Sequence, residues 1–88
     1  MNAEQKYEQC LRITQEALEK LEVKEQCCLS QTYLEKTKNY IHDAKYYAKE
    51  GDYVTALEAI AYAHGFIDAG VLAGLFHIRG YHLKQVSD

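Results

Sequence analysis

His64 and Asp68 are the pair in this chain whose types and spacing come closest to working chemistry. Four residues apart, they share one face of a helix, where an imidazole and a carboxylate can pass a proton or hold a metal ion together. Either task needs a third group, and the preceding segment offers Tyr40, His42, Asp43 and Tyr47. The functional reading is a small-ligand or nucleotide pocket between the second and third helices, lined by Tyr40, Asp43, Tyr47, His64 and Asp68. The structural reading is a half-buried carboxylate satisfied by His64 or by a tyrosine hydroxyl, because an unpartnered buried charge is costly. A two-residue pair favours the structural reading, and no residue is assigned a catalytic role.

Other chemistries find little support. Cys10, Cys27 and Cys28 lack the spaced pairs that a zinc site needs, and MNAEQKYEQ has no apolar leader character. Reduced thiols in a cytoplasmic protein are the expectation. There is no glycine-rich phosphate loop, and neither Ser30 nor Ser87 sits in a GxSxG elbow. The sequence therefore predicts no metal and no cofactor. Ten basic against thirteen acidic residues leave a net charge of −3, without the basic surplus of a nucleic-acid binder. His77, Arg79, His82 and Lys84 form the sole basic cluster, read as a solvated helix end. Eight tyrosines with only Arg12 and Arg79 for company read as core and interface residues, not as a base-stacking platform. No apolar run reaches the roughly 20 residues that a membrane crossing requires.

The elements that must position these residues are helices. Tyr7, Leu11, Thr14, Leu18 and Leu21 lay one stripe down a first helix. Ser30 reads as the cap of a second, whose stripe is Leu34, Thr37, Ile41, Ala44 and Ala48, with Tyr33, Tyr40 and Tyr47 beside it. In EGDY, Gly51 can close that helix and Asp52 can cap the next, so the two run antiparallel. The third carries Leu57, Ile60, Ala61, His64, Ile67, Asp68, Val71, Leu75 and Ile78 on its core face. The predicted fold is all-α: an up-down-up antiparallel three-helix bundle with a long third helix. It forms a single helical domain over residues 1–88, with helices at roughly 3–25, 31–50 and 53–79.

A second pattern overlies the third helix. Ala61, Gly65, Ala69 and Ala73 form one ridge of small residues, and Gly70 and Gly74 another. Such ridges let a neighbouring helix approach closely, at a cost of up to about 1 kcal/mol for each helical glycine. A small bundle has few partners of its own for so apolar a helix. The sequence therefore predicts a homodimer or an unidentified protein partner, without nucleic acid or membrane. Its contact is expected on Gly65, Phe66, Ala69, Gly70, Leu72, Ala73, Gly74 and Phe76.

Residues 40–76 also resemble a known family. Tyr40, Asp43 and Ala44, then Gly51-Asp52, Ala56-Leu57, Tyr62-Ala63, Gly65 and Asp68-Ala69 look like the defining stretch of the archaeal domain of unknown function 357. The resemblance implies a compact α-helical domain and supplies no established activity. The hairpin is also similar to half of a tetratricopeptide unit, but no 34-residue period follows it. The function expected is that of a non-enzymatic helical module acting through protein contacts or self-association.

Overall fold

Polar side chains at the helix ends fix where each helix begins. The structure, a computed structural model, describes residues 1–81. Helix α1, Ala3–Lys20, opens on a reciprocal cap: the Asn2 side chain accepts from the Gln5 N–H, and the Gln5 side chain accepts from the Asn2 N–H. Tyr7, Thr14 and Ala17 form its buried stripe. It stops at Lys20 and not near residue 25, because Leu21 turns extended and leads into a two-residue strand, β1 (Glu22–Val23).

Helix α2, Cys28–Lys49, begins three residues before the predicted start. Ser30 is its third residue and not its cap. Fully buried, it accepts from the Cys27 N–H and donates to the Cys27 carbonyl. The exposed Cys27 holds the cap position, and backbone and hydroxyl hydrogen bonds from Ser30 draw its thiol below the ordinary range. Cys10, Cys27 and Cys28 are all free thiols.

Gly51, at φ 81°, closes α2 with the paired bonds of a Schellman motif: Gly51 N–H to the Ala48 carbonyl and Asp52 N–H to that of Tyr47. Asp52 then caps helix α3, Tyr53–Leu72, by accepting from the Thr55 N–H. Hydrogen bonding from the Thr55 side chain, and then from its backbone N–H, holds the Asp52 carboxyl below its usual range.

The predicted third helix continued to about residue 79; the observed one ends at Leu72. The same motif ends it, with Gly74 at φ 74° and Leu75 N–H bonded to the Gly70 carbonyl. The chain then doubles back as strand β2 (Phe76–His77), antiparallel to β1 with Val23 opposite Phe76. The body of the fold is all-α, and this short ribbon is an addition to the predicted elements. Extension of the third helix towards Val86, and residues His82 and Lys84 of the basic cluster, lie outside the described residues.

Helix α3 carries the core. Ala56, Ile60, Ala63 and Ile67 are fully buried along its inner face. One cluster joins Tyr7, Ile41 and Ala44 to the start of this face, and a second joins Ala17, Ile67 and Ile78 at its end. Phe76, from β2, lies against Gly70, where any Cβ would overlap its ring. No helix among the described residues is long and apolar enough to cross a membrane.

Candidate functional site

The predicted polar cluster separates into two groups. His64 and Asp68 face α1, where Thr14 contributes from α1 and Tyr81 from the segment after β2. Tyr40, Asp43 and Tyr47 lie on α2 and take no part. Tyr40 stacks between Tyr62 and Phe66, with ring centroids 5.3 and 5.9 Å away. Asp43 is exposed beside His42, and Tyr47 meets Tyr46 edge-on. The groove between α2 and α3 is lined by Tyr33, Tyr62, Phe66, Glu58 and small residues, and by none of the predicted five. The polar pocket expected there is therefore not formed. Tyr40 is held by its stacking on Tyr62 and Phe66, and Asp43 and Tyr47 are exposed.

With a neutral imidazole, the His64 group has one consistent proton assignment. The Tyr81 hydroxyl donates to Asp68 Oδ1, which as a carboxylate only accepts. The phenol oxygen then accepts from His64 Nε2–H at 3.1 Å, and Nδ1, bare in that tautomer, accepts from the Thr14 hydroxyl at 3.3 Å. Asp68 lies 3.6 Å from the imidazole. Burial first, then the hydrogen bond to Asp68 and its negative charge, push the Tyr81 phenol far above its ordinary range. The four groups satisfy one another, and among the described residues no buried side-chain nitrogen or oxygen lacks a partner. The chemical result is a clasp that ties the segment after β2 to α3 and α1. No cluster of three metal-ligating side chains exists among the described residues.

Thr14 and Tyr81 were not among the predicted site residues. Thr14 had a signal, as the polar member of the apolar stripe of α1. Tyr81 had none, because its reach to Asp68 depends on the turn at Gly74.

The predicted contact surface also divides. Gly70 and Phe76 are buried against each other, and Gly74 supplies the helix-ending turn, so these three serve the interior. Gly65 and Ala73 are exposed, Leu72 is 72% exposed, and Phe66 and Ala69 are half-buried. Ala61, Gly65 and Ala69 form an open strip along the outer face of α3. Two grooves run beside it. That towards α2, of about 530 Å³, has aromatic walls and Glu58 as its one charged lining residue. That towards α1, of about 460 Å³, is lined by Lys6, Gln9, Ile13 and Thr14 opposite His64 and Asp68. The sequence missed Tyr33, Glu58, Tyr62, Lys6 and Ile13 as walls of these grooves, since their placement depends on how the helices pack.

Comparison with known proteins accords with this architecture. The chain is similar to protein AF1782 from Archaeoglobus fulgidus, a crystal structure matched to the same family, with a TM-score of 0.74 and 21% identity. The alignment covers 86% of this chain and 92% of that one, a likeness of fold alone. No curated protein matches the chain. A family model described as a protein of unknown function (DUF357) matches residues 6–76. That span is most of the chain, and the protein belongs to the DUF357 family, for which no activity is established.

Proposed function

We propose that this protein is a non-enzymatic helical module that self-associates through the outer face of α3. Gly65 carries the reading. It lies inside a helix, its φ is not positive, and a Cβ built on it meets no atom within 4 Å. The monomer gains nothing from a glycine there, and forgoes up to about 1 kcal/mol of helix stability relative to alanine. Close approach by an outside helix accounts for it. The neighbouring Tyr62, 61% exposed, and the aromatic groove supply apolar area for such a contact.

The reading includes an up-down-up arrangement of α1, α2 and α3. Tyr7 beside Tyr53 and Thr14 beside His64 support a parallel run of α1 and α3, and Tyr33 beside Phe66 with Tyr40 beside Tyr62 support an antiparallel α2. The self-satisfied state of the His64 clasp favours a structural role for that cluster over catalysis.

Light scattering with size exclusion tests the contact. The wild-type chain should run as a dimer, and Gly65→Leu as a monomer that melts no lower than wild type at high dilution. A wild-type monomer at all concentrations overturns the reading.

A further inference from the structure

We infer that the partner on this face is a second copy of the chain related by a two-fold axis parallel to α3, so that Lys6 of each copy meets Glu58 of the other. This rests on the self-association reading and specifies its geometry. Charge complementarity between the two grooves that flank one strip supports it. The groove towards α2 has a single charged wall residue, Glu58. The groove towards α1 has Lys6 at one end, while Asp68 at the other is already engaged by Tyr81.

A two-fold axis along α3 exchanges left and right but preserves height along the helix. It lays the α1 edge of one copy over the α2 edge of the other, and the Ala61-Gly65-Ala69 strips against each other. Height decides which residues then meet. Tyr7 lies beside Tyr53, and Lys6 shares its groove with Ile60 and Ala61. Lys6 is thus level with the stretch that contains Glu58. Ile13, 42% exposed and further along the same groove wall, comes level with the aromatic groove bounded by Tyr62 and Phe66. Every contact occurs twice, as an isologous interface requires. A two-fold axis perpendicular to α3 does not do this: it sets each groove against its own kind and leaves Lys6 and Glu58 apart.

Reversing charges reads this geometry directly. Lys6 and Glu58 are both exposed, so Lys6→Glu and Glu58→Lys should each fold as wild type by circular dichroism. Each single variant sets like charges together twice, and should weaken the dimer about tenfold. An equimolar mixture of the two should recover wild-type affinity as a heterodimer, since both of its pairs are again opposite in sign. The double variant Lys6→Glu/Glu58→Lys should recover it as a homodimer. High salt should narrow all these differences. Sedimentation velocity measures each case. Dimers indifferent to both single reversals, yet broken by Gly65→Leu, overturn the parallel two-fold axis and leave self-association standing. Singles that weaken the dimer and fail to recover on mixing also overturn it.

Discussion

The two faces of α3 use small residues for opposite ends. On the inner side, Gly70 is small because the Phe76 ring fills the space where a side chain would be. On the outer side, Gly65 is small with nothing above it. Both stand in the interior of one helix, five residues apart, and sequence alone ranks them alike. The inner glycine is explained by the fold, and the outer one is not. A small residue thus marks a close approach, and the structure decides whether the approaching group is already present.

The largest effects should fall on the inner face. Phe76→Ala removes a ring that is 2% exposed and leaves a cavity over Gly70 that the helix cannot fill. It should cost about 3–5 kcal/mol by urea unfolding, in the range of large-to-small core substitutions. Gly70→Ala attacks the same contact from the other side. Its methyl must displace the ring, so a loss of about 1–3 kcal/mol is expected despite the better helix propensity of alanine. An unchanged or raised midpoint for Gly70→Ala would mean that Phe76 does not occupy this space, and the contrast with Gly65 would collapse.

A smaller effect lies at the edge between the faces. Tyr81→Phe keeps the ring and deletes the hydroxyl that donates to Asp68 and accepts from His64. A loss of about 1–2 kcal/mol near neutral pH is expected. The pH dependence has a definite sign. The phenol is held protonated above its ordinary range, so the folded state keeps its proton where the unfolded chain releases it. The stabilisation is complete below pH about 10 and declines as pH rises beyond it. Tyr81→Phe should flatten the part of the alkaline decline due to this group, leaving that of Tyr7 and Tyr53, whose phenols are also raised. If wild type and variant lose stability equally with rising pH, Tyr81 is not clasped.

How much of this was legible in the sequence depends on one comparison of turns. Gly51 and Gly74 end their helices by the same hydrogen-bond pattern at φ 81° and 74°. The first was readable because Asp52 comes next, a polar residue suited to open another helix. The second precedes Leu75 and Phe76, which continue an apolar pattern, so Gly74 passed for one more member of a ridge. The reason is physical: a Schellman turn takes its energy from backbone bonds, and the chain can leave it for a buried strand as readily as for a helix cap. The stretch from Gly74 to Arg79 was read as helix for that reason, although Leu75 and Ile78 are buried as the stripe predicts, and the partner that Tyr81 provides for Asp68 was missed with it. The pairing of His64 with Asp68 is set by helical spacing alone. Thr14 joins them from fifty residues away, which no local pattern encodes. The outer grooves were illegible for a related reason, since a wall exists only once α1 and α2 are set against α3.

The smallest change should carry the opposite sign. Gly65→Ala adds a methyl at a site with no atom within 4 Å and replaces a residue that holds more freedom in the unfolded chain. The monomer should gain about 0.5–1 kcal/mol. Apparent stability also includes any association, which rises with concentration, so the gain must be measured at dilutions where the chain is monomeric. At higher concentration the same methyl holds the two strips apart and should weaken the dimer. Opposite responses at low and high concentration would separate the two uses of a small residue in a single substitution. If Gly65→Ala destabilises the monomer, an intramolecular need for that glycine exists, and the outer face loses its claim to a partner.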